Sequence, residues 1–123
     1  MSPKPQSYRD LVVWQKGIIL TKMVYHLTAK FPSEEKFGLI SQLRRATVSI
    51  PSNIAEGQAR NTTGEFIQFL SHAEGSAAEV DTQLYLSTEL GYLSAEDAAP
   101  SLSMIDEIRR MLNALRRRLK DAG

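Results

Sequence analysis

The chain contains no cysteine, which excludes disulfides, thiolate metal centres and a cysteine nucleophile and is compatible with a reducing compartment. Long hydrophobic runs are also missing. The longest wholly uncharged apolar stretch, GIILT before Lys22, is far below the ~20 residues that cross a bilayer. The N-terminal MSPKPQS is polar and proline-bearing, unlike a targeting segment, so the expected location is the cytoplasm, without membrane association. Strand-like alternation is absent, and so is any repeat with a period of about 20–50 residues, which sets solenoids aside.

Catalytic sets are lacking too. His26 falls on an exposed-looking side of the first helical segment. His72 has Glu65 and Glu79 at helical spacing, yet the Glu-x-x-His pairs of ferritin-type metal bundles do not occur. Ser76 follows Gly75 without the strand-turn-helix setting of a nucleophile elbow. The string GQARNTTG, from Gly57 to Gly64, lacks the Gly-Lys-Ser/Thr ending of a phosphate loop. Neither an enzyme nor a cofactor is therefore expected.

The most informative gap is in the charge: no Lys or Arg occurs between Arg60 and Arg109. Residues 1–62 carry 9 basic and 4 acidic groups, and residues 63–123 carry 6 and 10, so the formal net charge of +1 is a near-cancellation of +5 and −4. What is present fits one soluble domain over 1–123, with 1–7 as a disordered or extended N-terminal arm: 123 residues, 42% of them hydrophobic. A chain of this length buries roughly two-thirds of its unfolded surface and needs no staple.

Apolar residues recur at alternating spacings of three and four in four segments, the mark of helices that bury one stripe. The first stripe is Val13, Gly17, Leu20, Val24, Leu27 and Phe31, widened by Leu11, Trp14 and Ile18. Its predicted start is the box-like Ser7-x-x-Asp10, and Phe31-Pro32 ends it. The second opens on Ser33 as N-cap with Glu34 and Glu35 in the first turn, buries Leu39, Leu43, Ala46, Ile50 and Ile54, is kinked at Pro51, and is capped by Gly57. The third has a Thr62-x-x-Glu65 capping box, the stripe Phe66, Leu70, Ala73, Ala77, Val80 and Leu84, and an end near Gly91. Small residues from Ala73 to Ala78 mark its middle as a place of close helix approach. The fourth begins at Ser94-x-x-Asp97, with Pro100 offering a later start at Ser101, and runs through Leu102, Ile105, Ile108, Leu112, Leu115 and Leu119. Short connections between long helices favour antiparallel neighbours. The expected fold is all-α: an antiparallel up-down-up-down four-helix bundle.

Three polar stripes accompany this core. On a helical wheel Gln42, Arg45, Ser49, Asn53 and Glu56 share a narrow arc of the second helix, and Glu65, Gln68, His72, Ser76, Glu79 and Gln83 share one on the third. If they face each other, Arg45 can meet Glu79 while the amides and hydroxyls complete a network; otherwise they are solvated faces. Phe37, Val48, Pro51 and Ala55 give the second helix an additional apolar side, which suggests burial against another subunit. The fourth helix gathers Arg109, Arg110, Asn113, Arg116, Arg117 and Lys120 in one arc. Arginine forks suit phosphates, whereas cations beside an acid-rich helix can equally be taken up by ion pairs.

Several strings together resemble the four helix bundle protein family, first noticed as open reading frames in intervening sequences of 23S ribosomal RNA. They are YRDLVVWQKG, FPSEEKFGLISQLRRATVSIPSNIAEG, EFIQFLSHAEGSAAEV and ELGYL. The most specific parts are RRATVSIPSNIAEG, residues 44–57, and AEGSAAE, residues 73–79. The resemblance implies a small cytosolic bacterial protein that assembles as a ring, typically a homopentamer around a central channel. The chain is also similar to the accessory variability protein of diversity-generating retroelements, which binds nucleic acid and a reverse transcriptase through a basic surface. By this resemblance Arg45, Ser49, Asn53, Glu56, Ser76 and Glu79 are the motif polar residues, expected to be structural or interfacial. The leading expectation is a non-enzymatic homo-oligomer that binds RNA or DNA, as accessory to a nucleic-acid enzyme, through Arg109, Arg110, Arg116, Arg117 and Lys120. The competing one is a structural protein-interaction module without nucleic-acid binding.

Overall fold

A computed structural model describes residues 7–122, so the expected arm at 1–7 lies, but for Ser7, outside the described residues. Among these the chain is all helical: α1 (Val12–Thr28), α2 (Leu39–Gln58), α3 (Thr63–Glu89) and α4 (Ala95–Ala122), with short 3₁₀ turns at Tyr8–Asp10 and Ser33–Glu35 and no strand. Each helix packs against two others, α1 on α2 and α4, and α3 on α2 and α4. The stripes read from the sequence meet in one core. Leu20, Leu43, Ile50, Ile54, Leu70, Leu84, Ile105, Ile108 and Leu112 are fully buried in it.

The outer ends of α3 and α4 follow the local rules. Thr62 Oγ1 accepts from the Glu65 amide at 3.1 Å and donates to the Glu65 carboxylate at 2.9 Å, and Ser94 Oγ accepts from the Asp97 amide at 3.0 Å. α3 terminates in a Schellman motif, with the Gly91 amide on Thr88 O and the Tyr92 amide on Ser87 O, both at 3.0 Å. Gly91 has φ 81°, a conformation in which a side chain is strained. α4 starts at Ala95 and carries Pro100 inside it, on the exposed side, so the later start at Ser101 is not used.

Three boundaries differ from the sequence reading. Ser7 accepts from the Arg9 amide and caps only the 3₁₀ turn; Leu11 is then extended, and α1 begins at Val12. α1 ends at Thr28, ahead of Phe31-Pro32. Ser33 likewise starts a 3₁₀ turn, and α2 begins six residues later at Leu39. There the missing cap comes from upstream: Glu35 Oε1 accepts from the Leu39 amide at 3.1 Å. Its other oxygen accepts from Tyr92 Oη at 2.9 Å, tying the α1–α2 connection to the α3–α4 connection. That hydrogen bond, then partial burial and the nearby Glu35 and Glu34 charges, raise the Tyr92 phenol above its ordinary 10.0.

Gly57 is not a C-cap. It is helical and buried within α2, which runs on to Gln58. A Cβ at Gly57 would lie 2.7 Å from Phe69 Cβ and 3.0 Å from Phe66 Cδ1, so the glycine is there to let α3 come close. By contrast Gly75, in the small-residue segment, is exposed with nothing within 4 Å of a Cβ. The close approach in that segment is made by Ala73 and Ala77, both fully buried.

Pro51 is accommodated inside one continuous α2. Its ring supplies no amide for the carbonyl of Thr47, and Thr21 of α1 compensates by donating its hydroxyl to Thr47 O at 3.3 Å as well as to Gly17 O at 2.8 Å. A Cβ on Gly17 would lie 3.2 Å from Pro51 Cδ, so α1 covers Pro51 within the same chain. The additional apolar side expected of α2 is thus divided: Pro51 is buried and Val48 is 42% exposed, whereas Phe37 precedes the helix, in the turn before Leu39, and is 88% exposed.

Candidate functional site

Beyond Pro100 no glycine or proline interrupts α4 until its end. The 3.6-residue period therefore carries Arg109, Asn113, Arg116 and Lys120 along one row, with Arg110 and Arg117 beside it. On α3, Ile67, Ser71 and Glu74 form the facing row at spacings of four and three. Between the rows lies an open depression of ≈ 520 Å³ lined by Ile67, Ser71, Asn113, Arg116, Arg117 and Lys120. A second, of ≈ 350 Å³, is lined by Glu74, Asp106, Arg109, Arg110 and Asn113.

The five cationic candidates divide into two groups. Arg116 donates to Ser71 Oγ at 2.8 Å and, from Nη2, to both Glu74 Oε1 and Asn113 Oδ1. Arg109 Nε lies 3.9 Å from Glu74 Oε2. One acid on α3 thus engages two arginines of α4. Arg110, Arg117 and Lys120 are exposed. Glu74 escaped the sequence reading because that reading followed the arc of His72 and Ser76, and a residue two positions from each lies roughly 200° round the helix.

The polar stripes of α2 and α3 border another open depression, ≈ 520 Å³, where Arg45, Ser49 and Glu79 come together with Phe37, Ser41, Gln42 and Ala46. Among the described residues no ion pair joins Arg45 to Glu79. Ser49 Oγ donates to Ala46 O at 2.7 Å, Asn53 Nδ2 to Ser49 O at 2.8 Å and Ser76 Oγ to His72 O at 3.2 Å. Each of these three is therefore satisfied by its own helix, and Glu56 is exposed. Across the helices Gln83 Nε2 donates to Gln42 Oε1 at 3.4 Å, leaving Gln83 Oε1 buried without a partner among the described residues. His72 sets its ring edge-on to Phe69 at 5.8 Å, and no group of described acids and histidines could hold a metal ion. No described helix is long and apolar enough to cross a membrane.

Residues 9–114 match a family model described as the 23S rRNA-intervening sequence protein. The chain belongs to that family. The match spans all of α1, α2 and α3 and α4 as far as residue 114, so Arg109 and Arg110 fall within it while Arg116, Arg117 and Lys120 lie beyond its end. A solved structure shares the fold: a protein of unknown function from the S23 ribosomal protein family of Bacteroides thetaiotaomicron VPI-5482. It is 23% identical, with a TM-score of 0.75 over 84% of this chain and 96% of that one. No curated protein matches the chain.

Proposed function

We propose that this family member is a non-enzymatic up-down-up-down bundle that binds RNA or DNA through its α3/α4 basic face, as an accessory to a nucleic-acid enzyme. The observation that carries the reading is the exposed set Arg110, Arg117 and Lys120 beside Arg109 and Arg116, around two polar depressions. Guanidinium forks and an ammonium along a rigid helix suit a phosphodiester backbone, which offers acceptors at regular intervals. Labelled single-stranded RNA followed by fluorescence anisotropy tests it. Log affinity is expected to fall linearly with log salt, and the Arg116→Ala/Arg117→Ala double variant should have a slope shallower by about 0.7 to 1.4, one or two phosphate contacts. Binding indifferent to salt and to both substitutions overturns the proposal and leaves the protein-interaction module.

The same reading includes self-assembly into a ring, with a pentamer as the expected size and the cytoplasm as its setting. Two different apolar surfaces support it. Phe37 is 88% exposed at one lip of the Arg45–Glu79 depression. Tyr8, Trp14, Ile18, Val48, Pro51 and Ala55 line a groove of ≈ 270 Å³ between α1 and α2. Unlike surfaces that meet head to tail generate closed rings when the rotation closes. Sedimentation equilibrium should give several times 13.7 kDa for the parent and a lower mass for Phe37→Asp. A 13.7 kDa species at micromolar concentration overturns the ring.

A further inference from the structure

In the middle of the basic face stands an acid, Glu74. Its side chain and that of Arg116 are 21% and 19% exposed, so the pair is partly shielded but open on one side. Oε1 takes Arg116 Nη2, and Oε2 lies 3.9 Å from Arg109 Nε. The carboxylate therefore occupies the space between two arginines of one helical row, where a phosphate oxygen approaching α4 would otherwise sit. Arg116 is anchored independently through Nη1 on Ser71 Oγ at 2.8 Å, so it keeps its place when the carboxylate withdraws.

We infer that Glu74 is an internal counter-ion that stands in for a nucleic-acid phosphate between Arg109 and Arg116 and must be displaced before those arginines can be used. The inference rests on the nucleic-acid reading above. Carboxylate and phosphate each present a pair of oxygens that the planar guanidinium fork can engage bidentately, so they compete for the same donors. A partly exposed ion pair is weak enough to be exchanged. With Glu74 in place, binding draws chiefly on Arg110, Arg117 and Lys120. The chain thereby keeps its affinity for phosphodiester below what five cations would give, and the other two arginines are held preformed and neutralised until a backbone arrives.

The test compares the parent with Glu74→Gln and with Glu89→Gln, using a short labelled DNA duplex over a range of salt. Glu89 lies exposed at the far end of α3, so both variants gain one unit of charge and only one of them frees the arginines. Glutamine at position 74 retains the shape and a hydrogen-bond acceptor, and its melting curve checks that the fold is intact. Glu74→Gln is expected to bind about fivefold tighter at low salt, with a log–log salt slope steeper by about 0.9 to 1.8 as one or two further phosphates are engaged. Glu89→Gln should keep the parental slope. If Glu74→Gln binds like the parent, or Glu89→Gln tightens binding equally, the inference fails while the nucleic-acid reading stands. If none of the three proteins binds either the duplex or the labelled single-stranded RNA, both fail.

Discussion

Replacing Gly57 by alanine is expected to lower stability by about 2 kcal/mol, and replacing it by valine by about 3 kcal/mol or more. The neighbour at 2.7 Å is Phe69 Cβ, an atom next to the backbone that no rotamer change can withdraw. Phe66 closes the other side, with Cδ1 at 3.0 Å and its carbonyl oxygen at 3.3 Å. To admit one methyl group, α2 and α3 must separate, and every contact between them loosens. Alanine's better helix propensity, about 1 kcal/mol over glycine, offsets only part of this. For a domain of this size the alanine variant should melt roughly 6–10 °C lower. Gly75→Ala is the matched control: the same exchange in a helix, but with nothing within 4 Å, should stabilise by about 0.5–1 kcal/mol. A Gly57→Ala protein as stable as the parent would mean that the close approach of α2 and α3 is not what holds position 57 to glycine.

Glu35→Ala is expected to cost about 2 kcal/mol, read from the urea midpoint. It removes the acceptor for the Leu39 amide, which among the described residues is the one side-chain cap at the start of α2, and the acceptor for Tyr92 Oη. Gly38 fits the same arrangement, because a side chain there would run into Glu35 Oε1. The Tyr92 bond also gives a dependence on alkaline pH. The phenol is protonated when it donates, and its folded value is raised above 10.0. Its contribution is therefore complete below pH 10.0, the unfolded value, and is lost as pH rises through the folded value. The stability difference between the parent and Tyr92→Phe should shrink as pH rises past 10.0 and stay level between neutrality and pH 9. A difference that is flat across the alkaline range would show that the Glu35–Tyr92 bond does not form in solution.

Much of the fold was legible because an amphipathic helix repeats its message. The second stripe, Leu39, Leu43, Ala46, Ile50 and Ile54, is buried at every position, and so are Leu70, Ala73, Ala77, Val80 and Leu84 of the third. Caps were legible only where the turn they start continues. Thr62 and Ser94 cap long helices, while Ser7 caps a single 3₁₀ turn and Ser33 is the first residue of another that has no side-chain capping bond. A cap pattern reports that a turn opens, but Leu11 turning extended and Gly38 at φ −107°, ψ −116° decide that it stops. The candidate site was legible in its cations and not in their partners. Five basic residues on one helix face can be counted from spacing, whereas the acid that holds two of them stands on a different helix.

The amino-acid order by itself determined the number of helices, the face each buries, and the concentration of positive charge near the C-terminus, because each depends on spacing along one segment. Tertiary structure alone decided that Gly57 serves close packing and not termination, that Thr21 satisfies the carbonyl left open by Pro51, and that Glu74 takes up Arg109 and Arg116. Each of these joins residues from two helices, and the rotation and separation that bring them within a few ångströms are set by the packing of the whole core.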